Sequence, residues 1–157
     1  MKQYQYNDLE ALQGLVSDEF GAWSEEVEVT QDLVNQFAEL TGDNYWIHTD
    51  PEKAKTDSPF GATIAHGFLT LSMLSHIATQ NGITPEGVVM GINYGFDKVR
   101  FLAPVRAGKR VRAHRELLSV DQKDDNRFLL KHAVTVEIEG EETPALVAEW
   151  LGMMVVA

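Results

Sequence analysis

The chain has 157 residues, of which 44% are hydrophobic, and its formal net charge is −11. This size fits a single domain, residues 1–157, whose core needs no metal or disulfide. The acidic balance argues against nucleic-acid binding. No apolar run approaches the length that spans a bilayer. The absence of cysteine excludes disulfides, thiolate catalysis and cysteine-ligated zinc, and together with an N-terminus that lacks a targeting segment it predicts a cytoplasmic protein.

The first third of the chain predicts an extension, a strand and a helix. Residues 1–23 form the N-terminal extension, with a short amphipathic helix that ends near Gly21. Residues 24–30 alternate like a strand, and Thr30 then fits the N-cap of a helix that ends at Gly42. Residues 43–50 therefore begin where regular structure ends, and side chains that bind or react are often displayed at such places.

A buried helix and four strands are predicted for the remainder. Residues 66–80 are apolar on most faces, so we expect one long buried helix there. Four strand-length stretches of alternating residues follow, separated by turn-forming residues: Val88–Arg100, Arg110–Val120, Arg127–Glu139 and Ala145–Val156. This order predicts an α+β fold in which an antiparallel sheet covers one long helix.

The motif with the clearest chemistry places a carboxylate and an imidazole five positions apart, at Asp43 and His48. An Ala-His-Gly sequence at residues 65–67 comes directly before the apolar helix, so the backbone N–H of Gly67 is expected among the unpaired donors of the helix start. Together these features predict a proton-transfer pair beside an oxyanion site. Taken singly, Asp43 is better explained as a loop residue and His48 as a partly buried, hydrogen-bonded histidine.

Three further segments flank this motif, at Phe37–Thr41, Ser58–Gly61 and Ile64–Leu69. With them, the sequence from about Glu26 to the C-terminus resembles the MaoC-like (R)-specific enoyl-CoA hydratases. Hydratases of this superfamily commonly carry Asn-Pro where this chain has Tyr45 and Trp46, and the Trp-Ile-His form is similar to the nodulation-protein-N-like branch. The resemblance implies a hot-dog fold, in which a curled antiparallel sheet wraps a long central helix and two copies pair into a homodimer.

The resemblance also implies a reaction, the reversible addition of water to trans-2-enoyl-CoA to give (R)-3-hydroxyacyl-CoA without a cofactor. Asp43 and His48 would hold one water and supply the base and the acid, in an order that the sequence leaves open. The N–H of Gly67 would hold the charge on the thioester oxygen. The alternatives are a hot-dog acyl-CoA thioesterase and a non-catalytic acyl-CoA-binding accessory protein, the latter indicated only by Tyr45 and Trp46.

Several other residues near the motif carry weaker indications. His66 is expected beside the oxyanion site, and a metal site formed by His66, His48 and Asp50 is disfavoured because metal ligands usually have fixed short spacings. Ser72, one helical turn further on, would line an acyl tunnel or simply pack within the helix. Asn93 lies on a strand that is expected to run along the site, where it would form a hydrogen bond.

Seven of the 13 basic residues fall in one segment without acids, residues 98–115. Lys98, Arg100 and Arg106 are the candidates to bind the phosphates of coenzyme A. On general grounds the simpler interpretation is that the whole segment forms the solvated face of a hairpin. His114 and His132 are likewise predicted to be residues on the strand surface.

Overall fold

A five-stranded antiparallel sheet dominates the structure, a computed structural model that describes residues 4–78 and 85–157. Within these residues the strands are β1 (Val27–Glu28), β2 (Val88–Phe101), β3 (Arg110–Asp124), β4 (Arg127–Ile138) and β5 (Leu146–Val156). Their order across the sheet is β1-β3-β4-β5-β2, and every neighbouring pair is antiparallel. The predicted α+β fold is confirmed, and the four long strands lie within a few residues of their predicted bounds.

The helices in the described residues are α1 (Leu9–Gln13), α2 (Gln31–Thr41), α3 (Trp46–Thr49), α4 (Pro51–Asp57), α5 (Gly67–Ser72) and α6 (Leu74–Ile77). α2 has the predicted ends, because the Thr30 side chain accepts a hydrogen bond from the Leu33 N–H and Gly42 follows the helix in the left-handed conformation, at φ 79°. Glycine adopts that conformation without steric cost. None of these helices combines the length and the apolar character that crossing a bilayer requires.

The central helix is divided into two short helices. The sequence predicts one helix over residues 66–80, whereas the structure has α5 and α6 with Met73 between them, and residues 79 and 80 lie outside the described part. Met73 itself keeps a right-handed helical conformation, at φ −63° and ψ −18°. Leu74 and Ile77 are almost completely buried in a cluster that includes the sheet residue Val134. The sheet therefore encloses this helical segment, as the hot-dog prediction requires.

The N-terminal extension completes a second part of the core. α1 ends well before Gly21, the predicted end of that helix, and Gly14 follows it, since glycine is unfavourable within helices. Leu12 packs in a second hydrophobic cluster with Val120 and Phe128. Beyond α1 the backbone runs along β3, where the N–H groups of Ser17, Gly21 and Ser24 donate to the carbonyls of Leu117, Arg115 and Ala113. The extension therefore gives β3 a partner beyond the two-residue strand β1.

Candidate active site

The Asp43–His48 motif lies in the connection between α2 and α4. Gly42 ends α2 and the loop after it carries Asp43, while the one-turn helix α3 carries His48. The segment before α5 runs beside α3, since the Ile64 N–H donates to the Ile47 carbonyl at 3.1 Å. This contact brings residues that are far apart in the sequence into one site.

Two histidine rings form the centre of this site. Nδ1 of His48 lies 2.7 Å from the carbonyl oxygen of Ile64, and Nε2 of His66 lies 2.9 Å from the carbonyl oxygen of Asp43. The rings stack on each other, with centroids 3.8 Å apart. Because a carbonyl oxygen only accepts, the ring nitrogens that face it carry the hydrogens. Neutral His48 therefore presents an unprotonated Nε2, the atom that can accept a proton.

The carboxylate and the two rings are close enough to act on one small molecule. The ligand atoms of Asp43, His48 and His66 all lie within 4.8 Å of one another. Asp43 is 57% exposed and His66 only 3%, with 4.0 Å between Oδ2 of Asp43 and Nε2 of His66. Nδ1 of His66 is buried and has no hydrogen-bond partner among the described residues. A water can therefore contact both Asp43 and His48, while His66 supports them from within the protein.

A pocket of about 280 Å³ lies beside this group. Its wall is mostly apolar and consists of His48, Ile64, Ala65, Gly67, Thr70, Phe101, Leu102, Ala103, Pro104, Val105 and Ala145. A Cβ atom on Gly67 would lie 3.1 Å from the Phe101 ring, so any other residue at this position would require the ring to shift by a few tenths of an ångström. Sequence reasoning missed Thr70 and Phe101. Both had a signal, since Thr70 lies one helical turn after His66 and Phe101 ends the strand that was expected to run along the site.

Two of the predicted site residues lie away from this pocket. Ser72 is exposed, and its hydroxyl donates to the Phe68 carbonyl at 2.7 Å, an ordinary contact of serine within a helix. Asn93 is on β2, where its side-chain oxygen accepts a hydrogen bond from Nε1 of Trp150. Neither residue lines the pocket of this chain.

The three residues that were predicted to bind the phosphates of coenzyme A differ in their surroundings. Nζ of Lys98 forms an ion pair with Glu149 at 2.5 Å, and Arg106 lies 3.9 Å from a Glu141 oxygen. Arg100 is exposed, donates to the Val99 carbonyl at 2.8 Å and, within residues 4–78 and 85–157, has no carboxylate partner. Acids on β5 and in the turn between β4 and β5 thus partly neutralise a segment that contains no acid of its own. Arg100 is left as the cation most available to an anionic ligand.

The hydrogen bonds of the group fit proton transfer better than metal binding. Asp50, a member of the disfavoured metal set, caps α4 by accepting from the Lys53 N–H at 3.0 Å. Asp43 takes its place beside the two histidines. The His66 nitrogen that faces Asp43 is, however, the one that donates to a backbone carbonyl, and a nitrogen that carries a hydrogen cannot bind a metal ion.

The sequence relatives define the family. Residues 20–139 match the family described as "MaoC like domain". The chain is 49% identical over 126 residues to 3-hydroxyacyl-thioester dehydratase Z of Mycobacterium tuberculosis, which covers 80% of this chain and 82% of that protein. It is 42% identical over 145 residues to Nodulation protein N of Rhizobium meliloti, which covers 92% of this chain and 89% of that protein. The chain belongs to the MaoC-like dehydratase family.

Solved structures agree with this assignment and confirm the hot-dog fold. An (R)-hydratase from A. caviae involved in PHA biosynthesis superposes with a TM-score of 0.68 at 25% identity, over 87% of this chain and 96% of that chain. A monoamine oxidase regulatory protein from Archaeoglobus gives a TM-score of 0.72 at 27% identity, over 88% and 92% of the two chains.

Proposed function

We propose that the protein is an (R)-specific enoyl-CoA hydratase, which interconverts trans-2-enoyl-CoA and (R)-3-hydroxyacyl-CoA. The observation that carries this proposal is the meeting of Asp43 and His48 beside a pocket whose wall includes Gly67, the first residue of α5. The family, together with relatives named as a dehydratase and an (R)-hydratase, supports the same reaction.

The chemistry follows from the positions of these groups. In the direction of hydration, a water between Asp43 and His48 loses a proton to one of them, and its oxygen forms a bond to C3. The π electrons of the double bond move toward the thioester oxygen, where the N–H of Gly67 would stabilise the charge. C2 then takes up a proton from Asp43 or His48, whichever acts as the acid, as the electrons return. The net change is the addition of one water, and the thioester bond stays intact.

His66 has a positioning role in this proposal. Its Nε2–H holds the backbone of Asp43, and its ring stacks on that of His48, so a single buried side chain fixes both reacting groups. Such restraint lowers the barrier because the reactants are already oriented when the substrate binds. His66 itself need not exchange a proton.

The coenzyme A group would be bound by the basic segment, with Arg100 as the main contact. Among the described residues Arg100 has no acid to displace, whereas Lys98 would have to leave Glu149. Phe101, the next residue, already lines the pocket. The nucleotide would therefore lie on the surface while the acyl chain occupies the pocket.

A second copy of the chain is the proposed protein partner. β2 is an edge strand, and it exposes large hydrophobic side chains, among them Val89, Ile92 and Tyr94, which is 60% exposed. Unpaired edges with apolar residues favour pairing with another strand. We place the dimer in the cytoplasm, which the absence of cysteine fits.

Light scattering tests the dimer. Wild-type protein at micromolar concentration should have the mass of a dimer or of an assembly of dimers, and Tyr94→Lys should shift it toward the monomer. Leu40→Lys is the matched control, since Leu40 is even more exposed but lies on α2. A stable wild-type monomer contradicts the proposal.

An assay with crotonyl-CoA separates the candidate reactions. The enoyl absorbance is followed together with the release of free thiol. We expect the absorbance to fall without thiol release. Thiol release would instead indicate a thioesterase, and no change in either signal with crotonyl-CoA or longer enoyl-CoA substrates would indicate a binding protein.

A further inference from the structure

A second cavity lies between the N-terminal extension and the sheet, away from the candidate active site. Its volume is about 190 Å³, and it shares no lining residue with the pocket beside Asp43 and His48. Leu12 and Leu15 of the N-terminal extension form one wall, and Leu117 and Leu130 of the sheet form another. The exposed residue Ser17 lies at its rim. The cavity therefore exists only because the extension packs on the sheet.

Arg115 brings a positive charge into this apolar cavity. The alternation of β3 places Arg115 on the same face as Val111 and Ala113, which are buried in the main core. On β4 the same face carries His132, which is the register partner of Leu117. These two polar residues lie where the main cluster ends and the second cluster begins. The sequence interpretation, which placed the basic segment and His132 on the outer surface, is wrong for both residues.

The guanidinium of Arg115 has no partner in the described part of the chain. It forms neither an ion pair nor a hydrogen bond there, although Glu19 and Glu116 also line the cavity. One oxygen of Glu116 is itself buried without a hydrogen-bond partner. Burial lowers the pKa of Arg115, and burial together with Arg115 lowers the pKa of His132 to about 4. At neutral pH the cavity thus holds a guanidinium beside an uncharged imidazole.

An unpaired, half-buried charge is unfavourable unless something neutralises it. A guanidinium presents a planar pair of N–H donors that matches a carboxylate, and the leucine walls match a hydrocarbon chain. We propose that this cavity is a binding site for a short-chain carboxylic acid, whose carboxylate pairs with Arg115 and whose chain contacts Leu12, Leu15, Leu117 and Leu130. The site is independent of the proposed hydratase reaction.

Titration of the full chain with hexanoate, followed by amide NMR shifts, tests this site. We expect saturable shifts at Arg115, Leu117, Leu130 and His132. 1-Hexanol has the same chain without the charge, and it should bind at least about tenfold more weakly because it lacks a charge-assisted hydrogen bond. Equal binding of the two probes would overturn the proposal, and so would the absence of saturable shifts at these residues.

Variants separate the guanidinium from general surface charge. Arg115→Gln should abolish the hexanoate shifts, whereas Arg110→Gln, on the same strand but ion-paired with Glu26, should keep them. Without ligand, Arg115→Gln should melt at a somewhat higher temperature than wild type, because an unpaired, half-buried charge is removed, and hexanoate should no longer raise its melting temperature. Unchanged binding by Arg115→Gln overturns the proposal. Binding that is seen only after Glu19→Gln or Glu116→Gln also overturns it, since the charge would then be neutralised by the protein's own acid. If Arg115→Gln does not fold, the comparison of hexanoate with hexanol decides.

Discussion

Two cavities in the described part of the chain, the pocket beside Asp43 and His48 and the cavity beside Arg115, each contain a histidine, but the histidines are held in opposite ways. At the candidate active site, backbone carbonyls of Ile64 and Asp43 fix both ring orientations and leave Nε2 of His48 unprotonated in the neutral form. In the sheet cavity, His132 is held by burial beside the charge of Arg115, which lowers its pKa to about 4. The first arrangement suits a group that gains and loses a proton, and the second suits a group that stays neutral.

The largest effect is expected from Asp43 and His48, the proposed acid and base of the first site. Asp43→Asn and His48→Gln should each lower the turnover of crotonyl-CoA by about two to four orders of magnitude, the usual scale for a positioned acid or base. Turnover by the double variant should be only slightly lower than turnover by the less active single variant, because both residues are proposed to act on one water. Asp57→Asn, in an exposed ion pair with Lys53, serves as the control. Near-wild-type turnover in either single variant would contradict the proton-transfer role that distinguishes the first cavity from the second.

Protonation of His132 should affect the stability of the protein rather than its activity. Its folded-state pKa lies below the ordinary value of 6.5, so the unfolded chain binds the proton more readily and stability falls as the pH drops from 6.5 toward 4. The loss should be roughly 2 kcal/mol between pH 7 and pH 4.5. Denaturant unfolding of wild type and His132→Leu at both pH values measures it. An equal pH dependence in the two proteins would contradict a neutral, buried His132.

His66 lies at the first site, where we propose that it positions Asp43 and His48 without exchanging a proton. His66→Phe keeps an aromatic ring next to His48 but loses the hydrogen bond to Asp43, which should lower kcat about tenfold. KM should stay nearly unchanged, since the pocket wall is not altered. His66→Leu, which also removes the stacked ring, should lower kcat further. A change confined to melting temperature, with kcat intact, would show a purely structural role.

The smallest effects are expected from the surface cations. Arg100→Ala should raise KM for the CoA substrate a few-fold without a change in kcat, since the nucleotide is bound equally in the ground and transition states. Lys98→Ala should have less effect because Lys98 is paired with Glu149. Arg100→Ala should matter less with a pantetheine substrate, and added salt should weaken binding by wild type more than by the variant. If Lys98→Ala, Arg100→Ala and Arg106→Ala all leave KM unchanged, the basic segment is only a solvated surface.

Local patterns in the sequence predicted much of the fold and part of the site. The Thr30 cap, the glycine after α2 and the alternation of the long strands are decided by neighbouring residues, and the structure follows them. The closeness of Asp43 and His48 could be expected because they are five positions apart, and that of Gly67 because the surrounding motifs resemble a known family.

The features that the sequence did not predict lie where distant parts of the chain meet. The partner of Lys98 is Glu149 on β5, a contact that no local pattern contains. Arg115 is turned inward because the strand register, not its own polarity, sets the face on which it lies. The cavity beside it also needs the N-terminal extension, whose packing the sequence left open.

The most direct test of the proposed reaction is the dehydration of (R)- and (S)-3-hydroxybutyryl-CoA, followed separately by the appearance of the enoyl absorbance. One fixed pair of reacting groups on one side of the pocket can remove water from only one of the two configurations. We predict turnover of the (R) substrate alone, and its loss in Asp43→Asn. Turnover of the (S) substrate at the same rate, or turnover that survives in Asp43→Asn, would contradict the proposed function.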